Sequence, residues 1–178
     1  MRKAYQLSLI PKRLQYRDLS ADITRAEFAS VALSLYEMLT GTSVPNYTDE
    51  TPFTDTTDPD VLKAYGLGVV KGVGNNRYAP NDFLTREQAM TMLGRVYELV
   101  TSGSTGDGSN LPQDDLSSFS DYSSVSDFAR NYVCFFVSAG WVNGVGNNIL
   151  APKKNMTRES ALKLTAVWGE QFTSPERE

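Results

Sequence analysis

A chain of 178 residues, 40% of them hydrophobic, is long enough to bury a sizeable core as one compact domain or as a few small units that share one. Its formal net charge of −4 and its lack of histidine argue against a general nucleic-acid or anionic-membrane binder, so an acidic partner would have to be gripped locally. One cysteine, Cys134 in YVCFFV, leaves no intrachain disulfide; it reads as a small buried hydrophobe, with a reactive thiol as the alternative. No apolar run approaches a membrane span, and the opening MRKAYQLSLIPKRLQ has too short an apolar core for a signal peptide.

In chain order the first elements are KAYQLSLI (3–10), a loop, and ITRAE (23–27) opening a helix striped by Phe28, Val31, Ala32, Leu35 and Leu39. The pattern then returns: PFTD (52–55), KAYGLGVV (63–70), GVGNNRYAP (72–80), and LTREQ (84–88) opening a helix with Ala89, Met92, Leu93, Val96 and Val100 on one face. After the polar TSGSTGDGSN (101–110), which reads as a flexible connector, come SFSD (118–121), GVGNNILAP (144–152) and MTRES (156–160). The last of these leads a stripe of Ala161, Leu164, Thr165, Trp168 and Phe172. Offsets of 60, 61 and 72 residues bring these segments into register, so there are three copies, placed at 1–46, 47–105 and 114–172, with a linker at 106–113 and a tail at 173–178. The first copy lacks the F-x-D element, so Met1 reads as a start inside a longer protein.

A two-helix unit of this size can hardly bury its own stripe. The expected fold is therefore all-α: three helix-loop-helix repeats set as an intramolecular pseudo-threefold trimer around a central three-helix bundle.

Each long helix opens with Thr-Arg: Thr24-Arg25, Thr85-Arg86 and Thr157-Arg158. The threonine is explained as an N-cap, with Glu27 or Gln88 completing a capping box that Ser160 weakens in the third copy. The arginine opposes the helix dipole, by about 0.3–1 kcal/mol at an exposed site, so something negative should meet it. An acidic side chain of a neighbouring unit would serve, Asp55 or Asp121 of F-x-D, or Glu37, Glu98 and Glu170. So would an acidic ligand held by the guanidinium and the free N–H groups of the helix end. Both readings stay open.

In the doubled loop, Gly72 and Gly144 fit a helix C-terminal left-handed position or a sharp turn, while Gly74 and Gly146 would let the backbone approach something closely. The pairs Asn75-Asn76 and Asn147-Asn148 could cap turns or donate to sugar hydroxyls. There is no phosphate-loop ending, and DETPFTDTTDPD (49–60) lacks a calcium-loop pattern, so it reads as a solvated acidic connector; no metal or cofactor is expected.

Order, spacing and triplication together resemble the S-layer homology domain, whose repeats run F-x-D, short helix, G-x-G-x-x-x-F-x-P, then I-T-R-A-E opening a second helix. The first copy departs from it: LIPKRLQYRDLSADITRAEF has no G-x-G, and its loop is one residue shorter. The resemblance implies a non-catalytic anchor that binds bacterial secondary cell-wall polysaccharide, often pyruvylated, at the cell surface. The parent would be a larger secreted protein whose signal peptide lies elsewhere, with the isolated domain monomeric. It also implies that Arg25, Arg86 and Arg158 meet the ketal carboxylate, and that Gly72, Gly74, Gly144 and Gly146 let the sugar reach the backbone. Asn75, Asn147, Asp55 and Asp121 complete the candidate site. Three inter-unit grooves of unequal competence are expected, the one using the first loop being weakest; Lys12, Arg13 and Arg17 there read as a solvated polar loop or as compensating cations. The alternative function is a protein-interaction or array-assembly domain whose Thr-Arg arginines are structural ties. An enzyme acting on wall polysaccharide would need a carboxylate pair, and none of the 21 acidic residues stands out by context.

Overall fold

The computed structural model describes residues 9–173, with side chains through Glu170. Among these residues the chain is helical: α1 (Arg25–Thr40), α2 (Pro59–Gly66), α3 (Arg86–Ser102), α4 (Asp127–Ser138) and α5 (Arg158–Thr173), with 3-10 turns at Lys12–Leu14 and Tyr122–Ser124. The short helix expected on residues 3–10 falls mainly on 1–8, outside the described residues, as does most of the tail.

The three long helices start where the Thr-Arg pairs place them. Thr24 and Thr85 accept the N3 backbone N–H, and Glu27 and Gln88 reach back to the cap, so both capping boxes are complete. In the third copy Thr157 Oγ1 accepts the Ser160 N–H at 3.1 Å, and the two hydroxyls bond to each other. Thr85→Ala should therefore cost about 0.5–2 kcal/mol in urea unfolding, with the slope of the transition unchanged.

Just before each cap lies a buried apolar residue: Ile23, Leu84 or Met156. Their backbones close a ring. The Ile23 N–H donates to the Met156 carbonyl, Met156 to Leu84, and Leu84 to Ile23, each at 2.9 Å. The first turns repeat the circuit. Arg25 and Ala26 N–H donate to the Asp82 and Pro80 carbonyls, Arg86 and Glu87 to Lys154 and Pro152, Arg158 and Glu159 to Ala21 and Leu19. The orphan donors that any helix start must satisfy are thus spent on the loop of the next copy.

Above the ring the packing is not symmetric. The stripes are buried as expected from Phe28 to Leu35, Ala89 to Val96 and Ala161 to Trp168. Helix α1 lies against α2, α3 and α5, and α3 against α4, whereas α3 and α5 stand further apart. Large aromatic side chains fill that gap: Tyr97, Trp141 and Trp168 have ring centroids 6.1–6.3 Å apart. The α3–α4 contact is close because Gly94 sits mid-helix, where an added Cβ would lie 2.2 Å from the Tyr132 ring.

The connector expected to be flexible is fastened. Glu98, buried on α3, accepts the N–H groups of Gly106 and Gly108 and the Tyr132 hydroxyl. A buried carboxylate must find donors, and the Gly-rich backbone supplies them. Cys134 is half-buried, and burial raises its thiol pKa, which disfavours the reactive thiolate.

Candidate functional site: an interhelical cationic groove

The doubled loop is a tight hairpin whose geometry comes from its asparagines. Asn75 and Asn76 have φ of 50° and 53°, Asn147 and Asn148 49° and 55°, as a type I′ turn requires. The turn is closed by Arg77 N–H to the Gly74 carbonyl and by Ile149 N–H to the Gly146 carbonyl, both at 3.0 Å.

The glycine roles differ from those expected. Gly68 and Gly140 take the left-handed position that directly ends the short helices; Gly144 is also left-handed, with φ of 80°, but Gly72 is not. At Gly72 and Gly144 an added Cβ would fall 2.7 and 2.6 Å from the carbonyl oxygens of Arg77 and Ile149, and 3.0 Å from Phe53 and Phe119. These two permit the close approach. Gly74 and Gly146 have open space beside them and serve through φ near +100°.

The F-x-D element is the clamp on this hairpin. Phe53 and Phe119 lie under the first glycine, and Thr54 and Ser120 donate backbone N–H to the Asn76 and Asn148 carbonyls at 2.8 and 2.9 Å. Asp55 accepts from Tyr78 and Ala79 N–H at 2.8 and 2.9 Å, and Asp121 from Leu150 and Ala151 N–H, both at 2.8 Å. The Tyr78 N–H holds the Asp55 carboxyl below the usual carboxylate range, helped by the Ala79 N–H and by Arg77 and opposed by desolvation. Both aspartates, placed among candidate ligand contacts by the sequence, have their oxygens committed to their own loop. The acidic connector is likewise engaged: Asp58 caps α2 and pairs with Arg13, and Asp60 accepts from Ser30 at 2.5 Å. Arg13, read as solvated or compensating, also donates to the Ala26 carbonyl at 2.9 Å.

The Thr-Arg arginines divide. Arg158 donates from Nε and Nη2 to Glu27 of the first copy at 2.8–3.1 Å and from Nη1 to the Asp18 carbonyl at 3.0 Å; it is neutralised internally, by a residue not among the acids first considered. Arg25 and Arg86 meet carbonyls instead. Arg25 Nε donates to Tyr78 at 2.9 Å and Nη2 to Lys71 at 3.1 Å, with its guanidinium 4.7 Å over the Tyr78 ring; Arg86 Nε donates to Leu150 at 3.0 Å. Burial pushes both guanidinium pKa values down, yet arginine stays charged. Because the first-turn N–H groups are already taken, the expected helix-end anion site does not exist as drawn.

One groove of about 440 Å³ does open beside a Thr-Arg arginine. Its lining is Arg25 from α1, Lys71, Gly72 and Val73 from the hairpin, Gln88, Thr91, Met92 and Arg95 from α3, and Phe128 from α4. Three cations and no carboxylate line it, in a chain of net charge −4. Val73 and Phe128 are half-exposed apolar walls. Asn75, Asn147, Gly74 and Gly146 lie at hairpin tips outside this lining, and Gly144 in the equivalent hairpin of the third copy. Lys71, Arg95 and Phe128 carry no motif, so spacing alone did not mark them.

Comparison with known sequences agrees with the motif order. The S-layer homology domain profile matches residues 46–90 and 118–162. An amylopullulanase of Thermoanaerobacterium thermosulfurigenes is 37% identical over 149 residues, covering 78% of this chain and 7% of that protein. Exoglucanase XynX of Acetivibrio thermocellus is 34% identical over 149 residues, 80% of this chain and 12% of the enzyme. The surface-layer 125 kDa protein of Lysinibacillus sphaericus is 33% identical over 95 residues, 52% of this chain and 7% of that protein. The chain thus spans about a tenth of the length of these relatives. With the profile covering half the sequence in two stretches, each containing a clamped hairpin and a Thr-Arg helix start, the chain belongs to the S-layer homology domain family.

Proposed function

We propose that this domain is a non-catalytic anchor that holds a larger extracellular protein to the bacterial cell wall by binding an anionic secondary wall polysaccharide, and that the ligand is pyruvylated. S-layer homology domains anchor surface proteins to the wall, and the relatives named above include a surface-layer protein and polysaccharide-degrading enzymes. The aligned segment has the length of a module within them.

The observation that carries the reading is the groove in which Arg25, Lys71 and Arg95 converge with no acidic residue in the lining. A pyruvyl ketal presents a carboxylate and a methyl on one carbon. The cations suit the first, and Met92, Val73 and Phe128 suit the second and the apolar face of a sugar ring. Attraction would be short-ranged, since the molecule as a whole repels anions. The three copies are the repeat units of one monomeric domain. Their grooves are unequal, because Arg158 is occupied by Glu27 and Arg13 by Asp58.

Titration of the domain with purified pyruvylated wall polymer, and with the same polymer after mild-acid removal of the ketal, tests this. Binding to the first and a loss of at least tenfold on the second is expected. Equal binding to both would remove the carboxylate from the account, and no binding to either would remove the anchor.

A further inference from the structure

The groove holds a second guanidinium that the Thr-Arg motif does not include. Arg95 is 8% exposed, yet Nη1 donates only to the Val69 carbonyl at 3.3 Å, and Nε is buried without a hydrogen-bond partner. Its guanidinium stands 5.9 Å from the Tyr132 ring centroid and beside the Tyr132 hydroxyl, where it opposes the rise in that phenol's pKa caused by burial and Glu98; Glu98 therefore reaches Arg95 only through Tyr132. Glu98, three residues on, is the natural counter-charge, but its oxygens are taken by Gly106, Gly108 and Tyr132. No described carboxylate lies within ion-pair distance of Arg95. A buried cation without a direct ion pair is held less favourably than one that has it. Arg25, by contrast, already spends Nε and Nη2 on carbonyls.

We infer that Arg95, with Lys71 at the rim, is the receptor for the ligand's carboxylate, and that Arg25 is the strut that shapes the groove. This rests on the proposed function and assigns its charge recognition to one residue. The repeat makes that residue singular: nine positions after Arg25, Arg86 and Arg158 come Ser34, Arg95 and Val167. The groove at Arg25 and Arg95 is therefore the one that holds a buried guanidinium at this position with no direct ion pair among the described residues, and each chain has one strong site.

The test pairs Arg95→Met and Arg95→Lys with the wild-type domain, measuring thermal unfolding and calorimetric titration with pyruvylated and depyruvylated wall polymer. Arg95→Met removes a buried charge that has no direct ion pair while keeping apolar volume, so its Tm should hold or rise. Its affinity for pyruvylated polymer should fall at least tenfold and become equal to that for the depyruvylated form. Arg95→Lys should retain part of the preference. Wild-type titration should give one strong site per chain. If the wild type binds and Arg95→Met binds equally well, the receptor assignment fails while the anchor reading stands. If Arg95→Met fails to fold or loses stability with its preference intact, the residue is structural and the assignment fails. A wild type that binds neither polymer overturns both proposals.

Discussion

Replacing Glu27 with alanine should lower the stability of the domain by roughly 3–5 kcal/mol, a large share of what a domain of this size has. Glu27 is a meeting point of two jobs that the sequence separates. One oxygen takes the Thr24 N–H at 3.0 Å as the reciprocal half of a capping box, and the carboxylate also holds the Arg158 guanidinium at 2.8 Å. The side chains are 12% and 13% exposed, so screening is weak, and removing one partner strands the other charge. Arg158→Met alone should also destabilise. The pair Glu27→Gln with Arg158→Met should recover most of the loss, because Gln keeps the cap and no buried charge remains unmatched. Urea unfolding of the wild type, Glu27→Gln, Arg158→Met and the pair of them measures the coupling, and Glu27→Ala in the same series measures the full loss. Strictly additive losses would show that the two residues do not act together.

The same pair explains what could be read from sequence and what could not. Helix starts were legible because Thr at the N-cap and Glu or Gln three residues later act within one turn. The stripes Phe28 to Leu35 and Ala89 to Val96 were legible because burial follows helical period. Repetition was visible in GVGNNRYAP and GVGNNILAP, and a further copy in ITRAE, which has no such loop. Which acid met which arginine was not visible, since Glu27 and Arg158 are 131 positions apart and meet only once the ring has closed. The glycine roles are only partly legible for a related reason: φ and free space are separate demands, and sequence shows only that one of them applies. Asp55 and Asp121 read as ligand contacts because they recur; they recur because the second and third copies each need the same clamp on Ala79 or Ala151, both held at positive φ. The departures from the repeat line the candidate groove. Arg95 stands where the other copies have Ser34 and Val167, and Phe128 reaches the groove from a helix of the third copy.

Arg25→Met should cost about 3 kcal/mol or more, the opposite of what the same change at Arg95 should do. Two charge-assisted bonds to carbonyls, each worth roughly 1.5–3 kcal/mol, would be lost, leaving the Tyr78 and Lys71 carbonyls without those donors. The interface between the first and second copies would loosen with them, since Tyr78 also donates its hydroxyl to the Arg25 carbonyl at 3.0 Å. Desolvation of the guanidinium offsets part of this gain in the native protein, as its lowered pKa indicates. Arg25→Lys should rescue little, because an ammonium cannot both stack on Tyr78 and reach two carbonyls in a fixed fork. Urea unfolding of Arg25→Met, Arg25→Lys and Arg95→Met in parallel gives the comparison. If Arg25→Met keeps full stability and loses polymer binding, the motif arginine itself reads the ligand. If it unfolds early while its folded fraction keeps the preference for pyruvylated polymer, the conspicuous cation of the motif is a tie between repeats, and recognition belongs to the unpaired one beside it.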